Sequence, residues 1–415
     1  MKRFAIAFGI AATALAGVGW YAFGQAAPSK ITVVLGANTR AALEPLVAKF
    51  NASRTDVQID PIWGGDQTQL IAARKIPDII GTGDLYIEGQ RELMLNLNDL
   101  MAADQTSLDA ADFYPQMITP LRLSNQQLAL PYRFNVGLLY YNKTLFNEAK
   151  VALPTARWTQ ADFISAAQKL TKSDGTRATQ WGSSTVFGWW GEWLIHVRQA
   201  GGEFMRGTTV TLGSQEAIAG LQFFFDRTTA GKYKFAPGPK DDNLGGFQGM
   251  KTAMEYGGHT GLWAGFNQVK GLDWDIEVLP KGIKQQRGAE LALEGYGVYK
   301  GTQNPKAAYE VLKFLTGKEF MTTSFTDLGY PPARRSVARI VLSVPKAKRN
   351  NPQNLEALFA GITTGMTLPR NKNFVNTAIQ VVQPEIDKML EGKQTPAETA
   401  ARAADRATKY LQSQK

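Results

Sequence analysis

The chain has 415 residues, 44% hydrophobic and 20% charged, which is ordinary globular composition with enough apolar material for more than one core. It has no cysteine, so disulfides, thiol chemistry and a diacylglyceryl-cysteine anchor are excluded; with only two histidines a zinc site is nearly excluded too. The formal net charge is +10, and about +8 without Lys2 and Arg3, a balance that suits anionic partners or membrane surfaces and equally suits plain solubility.

Taken in chain order, the first feature is a basic head, Met1-Lys2-Arg3, before an apolar and small-residue run from Phe4 to Gly19. Ala22-Phe23-Gly24 then offers small residues where signal peptidase reads. Residues 1–24 are expected to be a signal peptide cleaved near Gly24–Ala27, the other reading being a retained anchor. Export without a lipid anchor points to the periplasm of a bacterium with two membranes.

Ile31 to Leu35 reads as a strand, Gly36 to Thr39 as a turn with a helix cap, and Ala41 to Phe50 as a helix. Val57 to Asp60 alternates as a second strand, a short helix follows over 67–74, and Pro77 to Ile80 is a third strand running into Gly81-Thr82-Gly83-Asp84. Strands alternating with helices predict a parallel sheet wound with helices. Ligands of such sheets collect beyond the carboxyl ends of the strands. Those ends are Asn38-Thr39, Trp63 to Asp66 and Thr82 to Asp84.

The stretch ALPYRFNVGLLYYNKTLF, residues 129–146, reads as extended, yet Arg133 and Asn135 interrupt it. Helices are expected at about 159–171, with Thr159 and Asp162 at capping-box spacing, at 189–200, and at 214–230 behind Ser214. A helix is expected at 247–254, strands at 274–279 and 291–299, and a helix from Asn304-Pro305 to Leu315. Gly329-Tyr330-Pro331-Pro332 closes that unit, and the tail over 353–413 is mostly helical. PKAKR at 345–349 is the densest basic patch. No zinc spacing and no basic helix with a dimer seam points to nucleic acid.

Six ordered pieces carry a family resemblance: PDIIGTGDLYIEGQRELMLNLNDLM (77–101), LALPYRFNVGLLYYNKTLF (128–146), RWTQADFISAAQKLT (157–171), FQGMKTAMEYGGHTG (247–261), NPKAAYEVLKFLTGKEF (304–320) and GYPPARRSV (329–337). The chain resembles the extracellular solute-binding proteins of carbohydrate ABC importers, the group that includes maltose-binding protein. The resemblance implies an α/β, two-lobe periplasmic-binding-protein fold of type II, with ligand between the lobes. It places an N-terminal lobe at 28–133 and 298–340 and a C-terminal lobe at 135–296 and 341–415. Residues 129–136 would cross the hinge, and YNK would begin the second lobe. Arg133 and Asn135 share a face at period two and would point at ligand, unless Arg133 forms a hinge ion pair, for instance with Asp84.

A sugar site needs aromatic platforms for ring faces and polar groups for hydroxyls. The resemblance proposes Asn38, Trp63, Asp66, Thr82, Asp84, Arg133, Asn135, Trp189, Trp190, His259, Tyr296 and Arg334 as ligand contacts. The chain departs from the family at Gly258-His259-Thr260, where a tryptophan is usual, so His259 would take its place. Arg133 and Arg334 together would suit an anionic sugar or a phosphorylated polyol; a neutral mono- or oligosaccharide is the other expectation.

The expected activity is binding and delivery to an inner-membrane permease with a separate ATPase, by a monomer without cofactor or nucleic-acid partner. Two rivals remain. A secreted polysaccharide-degrading enzyme would need a placed carboxylate pair, and no HExxH or nucleophile-elbow pattern occurs. A polyamine- or ferric-ion-binding protein would want several acids among aromatics, or paired tyrosines. Tyr140-Tyr141 is a pair whose rings a strand sends to opposite faces.

Overall fold

A computed structural model describes residues 27–104 and 107–414; the expected signal peptide lies outside the described residues. Among the described residues the chain builds two main sheets, beside three two-stranded ones. The first has strands Ser29–Leu35, Val57–Trp63, Ile79–Gly83, Leu130–Val136 and Leu291–Val298, in the order 57–63, 29–35, 79–83, 291–298, 130–136. Its first three strands run parallel, and strand 291–298 runs antiparallel to both neighbours. Strand 29–35 buries Ile31, Val33 and Leu35 on one face, and helix Arg40–Ser53 covers that face with Leu43 and Val47. Helix Pro305–Leu315 packs beside it through Ala308, Val311, Leu312 and Leu315.

The second sheet is antiparallel, with strand Leu138–Asn142 between Met254–Gly258 and Trp274–Val278. All five residues of the central strand are buried, which accounts for its unbroken LLYYN. Helix Gln160–Leu170 covers one side with Phe163, Ala166 and Ala167, started by the capping box that Thr159 and Asp162 form. Helices Trp190–Gln199, Gln215–Asp226 and Pro396–Ser413 form a further core around Trp193, Leu221, Phe224 and Ala403.

Strands 130–136 and 291–298 lie in the first sheet over their whole length. Only Gly137 separates strand 130–136 from strand 138–142 of the second sheet, and the return crossing ends at Ala289-Glu290. The Gly137 N–H donates to the Glu290 carbonyl at 3.3 Å, so the two crossings touch.

The helix expected at 247–254 is replaced by a single turn, Phe247–Gly249, followed by strand 254–258. Gly245, Gly246 and Met250 all take positive φ, which breaks a helix at both ends of Phe247–Gly249. Pairing of Met254, Glu255 and Tyr256 with Tyr141, Tyr140 and Leu139 then sets the strand. Helices Lys318–Leu328 and Arg335–Ser343 complete the first lobe's outer layer. Among the described residues no helix is long and apolar enough to cross a membrane.

Candidate ligand-binding site

A cleft of about 720 Å³ opens between the sheets, within the range of roughly 300–1,000 Å³ usual for small-molecule sites. The first lobe supplies the ends of strands 29–35 and 79–83 and the helix starts behind them, as the parallel topology requires. Asn38, Thr82 and Tyr86 come from these loops. Tyr86 is 56% exposed, a large ring left open to the cleft. The base is strand 291–298, where Ala292, Glu294 and Tyr296 alternate toward the cleft, with Glu290 ahead of them. Trp189, Trp190 and His259 form the opposite wall.

Close backbone approach explains the glycines of LEGYG. A β-carbon at Gly295 would stand 2.3 Å from the Leu130 carbonyl oxygen, where the strand register shifts. Gly257, at φ +80°, produces the irregularity in strand 254–258 that leads into His259.

Seven of the twelve expected contacts line the cleft: Asn38, Thr82, Arg133, Trp189, Trp190, His259 and Tyr296. Trp189 is half-buried, its ring edge-on to His259 at 5.3 Å. Trp190 is buried and packs against Phe374, so most of its ring serves the core.

The other five are placed elsewhere. Trp63 lies outside the cleft with the Arg40 guanidinium over its ring at 5.9 Å. Asp66 caps the short helix Gln67–Ala72 by accepting from the N–H groups of Thr68 and Gln69. Asn135 is held by Thr260 Oγ1, which donates to its Oδ1 at 2.9 Å. Asp84 is buried behind the base strand, its Oδ1 accepting from the Leu293 N–H at 3.0 Å.

Arg334 is buried on the far side of the Pro-Pro turn. It donates to the carbonyls of Thr316, Leu108 and Asp109, and its guanidinium sits 4.0 Å from the Phe113 ring centre. The turn contributes Tyr330 to the cleft instead. Two free arginines for an anion are therefore not assembled.

Arg133 is paired as well, and with Glu294 rather than Asp84. Its Nε and Nη2 donate to Glu294 Oε2 at 2.9 and 2.6 Å, across a register pair of adjacent strands. Its guanidinium also lies 3.8 Å from the Tyr330 ring centre. Burial opposes the Arg133 charge, but the Glu294 carboxylate outweighs it and holds the group protonated.

Glu290 is buried, and its Oε1 stands 2.8 Å from His259 Nε2. Burial, helped by the nearby Glu290 charge and opposed by the Leu293 N–H, pushes the Asp84 carboxyl up to about 7. Tyr86, Glu290, Glu294 and Tyr330 were not expected from the sequence. The alternation from Tyr296 back through Glu294 to Glu290 was the available signal.

Residues 36–322 match the family model described as bacterial extracellular solute-binding protein. The chain belongs to this family. This solute-binding protein is 23% identical over 399 residues to the sn-glycerol-3-phosphate-binding periplasmic protein UgpB of Pectobacterium atrosepticum, covering 88% of this chain and 87% of that one. Its fold is similar to that of the ABC substrate-binding protein Lmo0181 from Listeria monocytogenes in complex with cycloalternan, with TM-score 0.79, 22% identity, and 93% and 99% of the two chains covered. It is also similar to UgpB from Mycobacterium tuberculosis in complex with glycerophosphocholine, with TM-score 0.75, 17% identity, and 94% and 99% covered. The solute-binding protein thus has the two-lobe α/β architecture of maltose-binding-type proteins.

Proposed function

We infer that this protein captures a carbohydrate in the cleft between its lobes and presents it, chemically unchanged, to the permease of an ABC importer in the periplasm. The observation that carries the reading is the pairing of aromatic rings from opposite lobes, the open Tyr86 and the half-buried Trp189, over a base lined with polar groups. Rings of this size and stiffness stack on sugar faces at low entropic cost. Asn38 and the buried Thr82 hydroxyl, which has no partner among the described residues, suit sugar hydroxyls. The proposed hinge is Gly137 with Glu290, and closure about it would bring the two rings together on ligand.

A glycosidase needs one carboxylic acid and one free carboxylate across the scissile bond. Glu294 is committed to Arg133 and Asp84 lies behind the base strand, outside the cleft lining, so among the described residues Glu290 has no second free carboxyl across the cleft, which favours binding over hydrolysis. A thermal-shift screen over neutral sugars, amino sugars, sugar acids and glycerol phosphates tests the reading, since ligand bound to the native state raises the melting temperature. At least one sugar is expected to raise it. A screen in which no sugar does so, or in which any sugar is cleaved, overturns the reading.

A further inference from the structure

We propose that the preferred guest carries a protonated amine on its sugar ring, and that Glu290 is the residue that selects it. The inference rests on the carbohydrate reading above and narrows it.

Buried polar atoms are nearly always satisfied, but two carboxylate oxygens at the base of this cleft are not. Glu290 Oε2 and Asp84 Oδ2 have no hydrogen-bond partner, on residues only 4% and 6% exposed. Glu290 lines the cleft directly. Asp84 lies immediately behind, bonded to the backbone of the same base strand. Burial, with the Glu290 charge adding to it, pushes the Asp84 carboxyl up to about 7, so Asp84 adds only part of a negative charge near neutral pH.

The protein supplies little to neutralise Glu290. Among the described residues no lysine lines the cleft, and the one guanidinium lining it, that of Arg133, is spent on Glu294. His259 reaches only the other oxygen of Glu290. Glu290 therefore keeps one oxygen that no lysine or arginine lining the cleft answers, which disfavours a phosphate or uronate there. A hydroxyl would donate one hydrogen bond and leave the charge standing. An ammonium brings three donors and the missing charge, and such bonds are about twice as strong as neutral ones. Trp189, whose ring meets His259 beside Glu290, supplies a ring face that attracts a cation. The unpartnered Thr82 hydroxyl and the open Tyr86 ring call for the rest of a sugar rather than a bare polyamine.

Isothermal titration of the purified protein tests this. The probes are glucose, glucosamine, N-acetylglucosamine, glucuronate and glycerol 3-phosphate, the β-1,4-linked dimers of the first three, and spermidine. An amine-bearing sugar is expected to bind at least about tenfold tighter than its neutral parent, or about 1.4 kcal/mol. Acetylation of the amine should abolish the gain. The gain should shrink in Glu290→Gln to less than about threefold, with circular dichroism confirming the fold.

Neutral and amine sugars binding alike overturns the inference and leaves the carbohydrate reading intact. So does a gain that survives acetylation or Glu290→Gln, or spermidine binding tighter than every amino sugar. The acetylation comparison decides on the unaltered protein if the variant does not fold. Heat from no sugar at all takes both readings down.

Discussion

Trp189 and Trp190 are neighbours in sequence with opposite surroundings. Trp189 faces the cleft and touches His259; Trp190 is buried against Phe374. Trp189→Ala is expected to weaken ligand binding about tenfold or more with little loss of stability. Trp190→Ala should cost about 3–5 kcal/mol of stability by leaving a cavity. Urea denaturation beside ligand titration separates the two, and equal effects on both measurements would contradict the placement. Arg334→Ala should destabilise by about 3 kcal/mol or more, because it strands the buried carbonyls of Thr316, Leu108 and Asp109. The ranking of ligands should not change. A selective loss of anionic ligands would return Arg334 to the cleft. Local sequence showed arginines beside a Pro-Pro turn, but the groups that bury Arg334 come from residues 108–112, more than two hundred positions away, and no local pattern reports them. Glu290 and Glu294 were within reach, since they alternate with Tyr296 along one strand; the aromatic alone drew the reading.

At the scale of elements, caps were the most legible signals. Thr159 with Asp162, and Ser214, start helices as their side chains suggest, and the structure adds a capping box of Thr395 with Glu398. Thr159→Ala is expected to lower stability by about 1 kcal/mol, read as a shifted denaturation midpoint with unchanged ligand affinity; no shift would mean that helix 160–170 is held by packing alone. Strands were legible when buried residues alternated, and their ends less so: Val57–Trp63 runs three residues past the expected Asp60. Strand 254–258 was not legible, because good helix formers fill GMKTAM and its pairing partner, strand 138–142, lies over a hundred residues back. Tertiary pairing overrode propensity there.

For the whole molecule, buried acids pushed above their ordinary range, Asp84 and Glu255 with Glu192 and Glu277, set how stability answers pH, partly offset below about pH 6.5 by His196, which burial pushes down. Asp84 and Glu255 are each pushed up to about 7, mainly by burial. Unfolded, such groups titrate near 4. Between about pH 4 and 7 the folded chain keeps these protons while the unfolded chain has released them. Stability should therefore fall as pH rises through that window, by up to about 1.4 kcal/mol per pH unit for each group, and level off above it. Carboxyls held low, such as Glu385 at about 2 through Lys388, Gln394 and Arg406 despite partial burial, lose their contribution only in stronger acid. Urea midpoints at about pH 5, 6, 7 and 8 should decline and then flatten, and Asp84→Asn should reduce the decline. A midpoint that climbs across this range would contradict the burial of Asp84 and Glu255.

The single-residue junction at Gly137 has a mechanical consequence. With one residue between the two strands, any turning of one half against the other concentrates in a couple of torsion angles, which makes a pivot and leaves no slack for sliding. The second crossing runs beside it and carries Glu290, whose carbonyl is tied to the pivot's own amide. A guest that grips the Glu290 side chain thereby pulls on the axle itself, so grip and swing become one event.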